Sequence, residues 1–296
     1  MTDLFWRDLR LSNIDLHFHA GTERPEHCSL RDFLDFAVAT GRRLIGVTDH
    51  FGRFTGASRK QLNHYAGSPE GYRRFINEVH EVGSGYPHAV VLFAPEVGLA
   101  HLEGETAAMA LGEPGVDLLI GEPSRPGEGE TLGEYLVRGI EMIADAREEF
   151  DVPGFLAHPF RGSINSIVGK GGPGPRMPIH EPFPPLYETE DPVEEVEKLL
   201  ELDISKLARV SIREKVPFEI NESSWGRIMG MNHESFAERY LLFFRTFIDE
   251  GGEVVLGSDL HNAEHPSPTP FSLAKALGVK VTDMSLLSRW VGGERE

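Results

Sequence analysis

Seven short apolar runs, each ending beside a residue that carries chemistry, constrain this chain more than any other feature. The runs cover 13–19, 43–48, 89–95, 116–120, 154–157, 217–220 and 253–257. Such runs read as strands buried in a parallel sheet. Helices with recognisable starts lie between them. Ser29-Leu30-Arg31-Asp32 opens one that Gly41 closes. Ser68-Pro69-Glu70 opens another, with proline at the favoured first helical position and Gly83 at the end. Thr131-Leu132-Gly133-Glu134 is a capping box leading into 135–150. Asp191-Pro192 starts an acidic helix, 232–249 is long and aromatic on one side, and 272–277 is the last. Strands alternating with helices imply a parallel sheet, most simply closed into a barrel. At 296 residues the chain suits a single α/β barrel domain spanning 1–296. Two loops interrupt the order: 52–67, with Arg53, Arg59 and Lys60, and a Gly/Pro-rich insertion at about 162–190.

The residues at the strand ends point to metal chemistry. Along Ile14-Asp15-Leu16-His17-Phe18-His19, strand alternation turns Asp15, His17 and His19 to one side and Leu16 and Phe18 to the other. Two imidazoles on one strand face suit a single metal ion. The second run is followed by Thr48-Asp49-His50, the third by Glu96 and the fifth by His158. The sixth is followed by Asn221 and the seventh by Ser258-Asp259-Leu260-His261. In a parallel barrel the C-terminal strand ends share one face, which holds the active site. Clustered buried polar and charged groups need a compensating cation there. His17, His19, His50, His158, His261, Glu96 and Asp259 offer more donors than one tetrahedral ion uses. A carboxylate such as Glu96 can bridge two ions, and paired ions suit displacement at phosphorus.

Composition narrows the partners. Cys28 is the only cysteine, so neither a disulfide framework nor a thiolate cluster is available, and the donors suit Zn, Mn or Fe. A net charge of −18 argues against binding a nucleic-acid polymer. No apolar run approaches the ~20 residues of a membrane span and no leader-like segment precedes Asp15. A cytoplasmic protein without a membrane partner is therefore expected, and a homo-oligomer is compatible with this reading.

The ordered set Asp-Leu-His-Phe-His, Val-Thr-Asp-His, Pro-Glu-Val, Ala-His-Pro, Glu-Ile-Asn and Gly-Ser-Asp-Leu-His resembles the PHP (polymerase and histidinol phosphatase) superfamily, from about Asn13 to His261. The resemblance implies a distorted seven-stranded (β/α)7 TIM-like barrel with two or three divalent metal ions at its C-terminal face. It assigns His17, His19, Glu96 and Asp259 to a first ion, Glu96 and His158 to a second, and His50 with His261 to a third. His27 resembles the family's ligand in the loop after the first strand. Where the family carries a histidine after the fourth strand, this chain reads Gly121-Glu122-Pro123-Ser124-Arg125, with Ser124 at that place. Glu122 is a competent substitute ligand, the alternative being a second ion bound weakly or not at all; His101, beyond Glu96, is read as a solvated loop residue.

The resemblance and the donor set together imply a metal-dependent phosphoesterase of histidinol-phosphatase type, hydrolysing a small phosphorylated substrate through a metal-bound hydroxide. Asp259 or His50 relays the proton. Arg161 and Arg227 fall beside the mouth, where guanidinium forks match phosphate oxygens; Arg125 is a weaker candidate. An amidohydrolase-type attack on C–N bonds ranks second, because no Lys follows any strand (Lys170 lies in the loop). A non-catalytic metal-binding module is the remaining alternative.

Overall fold

The computed structural model of the chain describes residues 6–20, 29–51, 68–123, 126–168, 193–230, 234–261 and 272–292. The elements run β1 (Ile14–His19), α1 (Leu30–Ala39), β2 (Leu44–Thr48), β3 (His50–Phe51), α2 (Pro69–Gly83), β4 (Val90–Phe93) and β5 (Glu96–Gly98). Then come α3 (Gly104–Leu111), β6 (Leu119–Glu122), α4 (Leu132–Phe150), β7 (Gly154–Leu156), α5 (Arg161–Val168), α6 (Val193–Leu200) and α7 (Ile204–Glu214). The series ends with β8 (Phe218–Asn221), α8 (Glu222–Gly230), α9 (Glu234–Asp249), β9 (Val254–Gly257) and α10 (Ser272–Ala276).

Local chemistry fixes the helix starts where the sequence placed them. The Ser29 side chain accepts from Asp32 N while Asp32 reaches back to Ser29 N, and Thr131 and Glu134 do the same at α4. Ser68 caps α2 by accepting from Gly71 N, with Pro69 in the first turn. Helices α3 and α8 were not foreseen, and the segment expected to begin an irregular insertion at 162 is helical as α5 as far as Val168. The acidic helix expected after Pro192 is two helices, α6 and α7, with Asp203 capping the second by accepting from Lys206 N.

The sheet differs from the expected closed ring of seven strands. Among the described residues, nine parallel strands form two sheets, ordered β1-β2-β4 and β3-β5-β6-β7-β8-β9. Two short strands follow the second and third expected strands after a break, which accounts for the extra pair. Asp49 turns Oδ1 onto His50 N at 2.8 Å, and Pro95 has no N–H to give a ladder. Beyond those breaks β3 and β5 pair with each other, His50 opposite Glu96, and join the second sheet. The sheets meet at two seams. Asp117 N donates to Phe93 O at 3.0 Å, and at the other seam Asp259 N donates to His17 O at 2.7 Å and His19 N to Leu260 O at 3.0 Å. The first strand and the last therefore adjoin, and residues from both chain ends meet there.

Aromatic side chains fill the space between strands and helices. Phe18 meets Phe33 and Phe36 of α1, Phe93 meets Tyr72 and Phe75 of α2, and Phe218 stacks on Phe243 and Phe247 of α9. Among the described residues, no helix is long and apolar enough to cross a membrane.

Candidate metal centre

Strand β1 is buried along its whole length. Phe18 turns toward α1, so Asp15, His17 and His19 face the opposite side. Nε2 of His17 and Nε2 of His19 stand 3.0 Å apart, facing each other. Their meeting point is walled by two carboxylates. Glu96 Oε2 lies 3.7 and 3.4 Å from these two nitrogens, and Asp259 Oδ1 lies 3.8 and 3.4 Å from them.

Glu96 is the hub. Its Oε2 also lies 2.7 Å from His50 Nδ1, while Oε1 lies 2.9 Å from His158 Nε2. One carboxylate, 1% exposed, thus faces four imidazoles brought by β1, the start of β3 and the turn after β7. The break after β2 serves this arrangement, because it sets His50 directly across the ladder from Glu96.

Asp259 and His158 occupy backbone conformations that L-residues seldom adopt, with φ of 53° and 21°. Such strain persists only where the surroundings over-determine it, and it concentrates at functional sites. Arg161, at the start of α5, is ion-paired with Asp259. His261 folds back so that Nδ1 is 3.0 Å from Asp259 O, and its ring stacks on His19 at 3.9 Å between centroids.

Beneath this layer lie two contacts the sequence did not announce. Glu219 on β8, fully buried, has Oε1 3.0 Å from His17 Nδ1 and accepts from His158 N through Oε2 at 2.8 Å. Period-2 alternation puts Glu219 on the same face as Asn221, so the Glu-Ile-Asn strand end offered it as readily as the asparagine. Asn221 itself caps α8, its Oδ1 accepting from Ser224 N. Asp15, the deepest residue of the β1 trio, accepts from Arg42 Nε at 2.7 Å and from Ser258 N at 2.8 Å.

The electrostatics match a centre built for a cation. Burial alone would lower His17, but the charges of Glu219 and Glu96 outweigh it and raise the imidazole to about 10. Burial pushes His19 down to about 4 despite its hydrogen bond with Glu96. Burial works against charge on Glu96 too, yet His50 and His17 hold its carboxyl well below the ordinary range. Burial, then the neighbouring charges of His19 and His50, lower His261 well below its usual value. Surroundings that favour a positive imidazole in so buried a place would equally favour a divalent ion.

The described residues include four overlapping groups whose candidate ligand atoms lie within 4.8 Å of one another. They are His17-His19-Glu96, His19-His50-His261, His17-His158-Glu219 and His50-Glu96-Glu122. All the expected ligands within the described residues are therefore brought together: His17, His19, His50, Glu96, Glu122, His158, Asp259 and His261. His50 stands against Glu96 and is not confined to a site shared with His261. Arg227 on α8 is close enough to Arg161 that burial and then this like charge lower it to about 10. His101 ends a short 3-10 turn and is half-buried, so it is less solvated than expected. His27, Ser124, Arg125 and the loops 52–67 and 169–185 lie outside the described residues.

No family model matches the chain, and no curated protein matches its sequence. Among solved structures it is similar to the "putative histidinol phosphatase hisK" of Listeria monocytogenes, at 11% identity and a TM-score of 0.52, covering 84% of this chain and 96% of that one. A second similarity is to a zinc-bound amidohydrolase of Burkhoderia ambifaria, at 12% identity and a TM-score of 0.40, covering 90% of this chain and 62% of that one. At the level of fold, the likeness to the Listeria protein agrees with the resemblance to the PHP superfamily read from the sequence motifs.

Proposed function

We propose that this chain is a metal-dependent hydrolase of small phosphate esters, with its centre where the two parallel sheets bring their polar residues together. The observation that carries the reading is Glu96: one buried carboxylate with His158 on one oxygen and His50, His19 and His17 around the other. A carboxylate so placed is suited to bridge two ions. His17, His19 and Asp259 would complete one position, His158 would serve the second, and His50 with His261 would hold a third. The all-nitrogen-and-oxygen donor set suits Zn, Mn or Fe. When bound, such ions supply Lewis acidity toward phosphoryl oxygens and lower the pKa of a coordinated water.

The chain's own residues do the rest. Arg161, ion-paired with Asp259, puts one guanidinium beside the centre, and Arg227 lies near enough to Arg161 to feel its charge, so an anionic substrate held at Asp259's end of the site would meet positive charge. This favours a phosphate ester over a neutral amide. Arg161 also grips one oxygen of Asp259 and leaves the other turned toward the β1 histidines, where it would serve either as a ligand or as the acceptor of a proton from water. His50, at 22% side-chain exposure against 0% for His17, is reachable from outside, which would suit it to pass a proton to solvent or leaving oxygen.

The deciding experiment is a panel of phosphomonoesters, phosphodiesters and amides assayed after loading with Zn, Mn or Fe. Turnover of a phosphate ester that chelation abolishes and metal restores is the expected result. Amide turnover alone, or none with any metal, would overturn the reading. A finer expectation concerns Glu122, at the end of β6. If it supplies the ligand that Ser124 does not, Glu122→Ala weakens retention of one ion by at least about tenfold. Metal per chain after dialysis, measured by mass spectrometry, checks this; an unchanged metal content removes Glu122 from the ligand set.

A further inference from the structure

Glu219 binds no ion in the assignment above, yet it touches two of its ligands at once. Its side chain starts on β8, passes over β9 and ends against β1, where Oε1 is 3.0 Å from His17 Nδ1. Its other oxygen accepts from the backbone N of His158 at 2.8 Å. The passage over β9 exists because residue 257 is glycine. A Cβ there would collide with Glu219 Oε1 and come within 2.5 Å of His17 Cβ. The route is therefore built into three strands.

We infer that Glu219 is a positioning residue that fixes which nitrogen of His17 faces the metal and holds the backbone of His158 in register for the neighbouring ion. An ionised carboxylate offers only acceptors. One is taken by a backbone N–H, which can only donate, so the other obliges His17 to carry its proton on Nδ1. The lone pair of His17 is then left on Nε2, the nitrogen that faces His19 Nε2, Glu96 and Asp259. The same carboxylate steadies His158 at its φ of 21°, and His158 in turn meets Glu96 through Nε2. One side chain thus sets the ring of one ligand and the main chain of another, coupling the two ion positions that Glu96 would bridge.

Glu219→Gln is the informative substitution, because the two side chains match in size. The amide oxygen must stay with His158 N, which leaves the NH2 group facing His17 Nδ1. That forces Nδ1 to accept and puts the His17 proton on Nε2, inside the centre. The measurements are zinc affinity, by competition with a chromogenic chelator, and the His17 tautomer, from long-range 1H–15N spectra of zinc-loaded protein labelled in histidine. The His17 signals are assigned by their loss in His17→Gln. In the parent chain His17 should be protonated at Nδ1 and metal-bound at Nε2. In Glu219→Gln the tightest zinc affinity should fall by about 10–100-fold while the metal-free chain still unfolds cooperatively.

An affinity within about twofold of the parent would overturn the inference. So would a parent spectrum with the His17 proton on Nε2, which decides the matter even if the variant does not fold. The inference rests on the metal centre proposed above and not on its substrate. A chain that binds zinc but hydrolyses no phosphate ester overturns only the earlier reading, and a chain that binds no zinc overturns both.

Discussion

Glu96→Gln is expected to lower kcat by about 10³-fold or more and to strip the protein of more than one ion. The substitution removes one charge and turns one acceptor into a donor at the point where four imidazoles converge. If the NH2 group takes the Oε2 place, it faces His50 at 2.7 Å and His19 at 3.4 Å, whose lone pairs would otherwise be offered to a cation. If it takes the Oε1 place, it faces His158 at 2.9 Å. Either way one bridging contact is lost, and the buried positive charge of the ions loses a compensating carboxylate. Lewis-acid stabilisation worth several kcal/mol corresponds to ~10³ in rate, since about 1.4 kcal/mol is tenfold. His50→Gln is the control. His50 comes from the half-exposed rim and its loss leaves Glu96 intact, so the fall in activity should be smaller. Steady-state kinetics with metal analysis on both variants decides it. Equal losses, or full metal content in Glu96→Gln, would show that Glu96 bridges nothing.

The second large effect is on stability and lies below the site. Arg42 is 1% exposed and Asp15 is 0% exposed. The guanidinium donates to Asp15 through Nε at 2.7 Å and to Thr40 Oγ1 through Nη1 at 2.6 Å. It also lies over the rings of Phe18 and Phe36, 5.4 and 5.9 Å from their centroids. Replacing it by a methionine of similar reach leaves the Asp15 carboxylate buried without its cation, which costs about 3–5 kcal/mol. Urea denaturation of metal-free Arg42→Met should show that loss. Adding Asp15→Asn to the same chain should recover part of it, because the amide oxygen still accepts from Ser258 N and no charge is stranded. A loss under about 1 kcal/mol in the single variant would mean that the pair is hydrated or rearranged. Zinc binding should weaken as well, since Asp15 tethers Ser258 and Asp259 follows it directly.

How much of this was legible in the sequence depends on whether a property is local. His17 and His19 are two residues apart on one strand, and the period of a strand settles their common face. Ser29, Ser68 and Thr131 announce their helices through side chains that bond three residues on. The order of strands and the convergence of their polar ends followed from parallel topology. The breaks at Asp49 and Pro95 did not, because whether a strand bends depends on what its neighbour must reach, here His50 opposite Glu96. Arg42 was hidden for a similar reason. It sits before β2 with nothing local to say that its side chain turns inward to Asp15. Glu219 was within reach of alternation, but Asn221 stood at the strand end where ligands were expected, and it spends its oxygen capping α8.

The seam between β1 and the residues after β9 has a consequence for the order of events in synthesis. The hydrogen bond from Ser258 N to Asp15 spans 243 positions. In equilibrium terms that span costs little, since each doubling of a loop adds only about 0.6 kcal/mol of closure entropy. Time is another matter. At ~5–20 residues per second, roughly tens of seconds separate the emergence of His17 from that of Asp259. Through that interval a nascent chain presents His17, His19 and Glu96 with one wall of the pocket missing, and contacts so distant in sequence form late. If the proposed centre takes up metal, that uptake is then expected as a closing event after the last strand docks, not as a nucleus about which the chain folds.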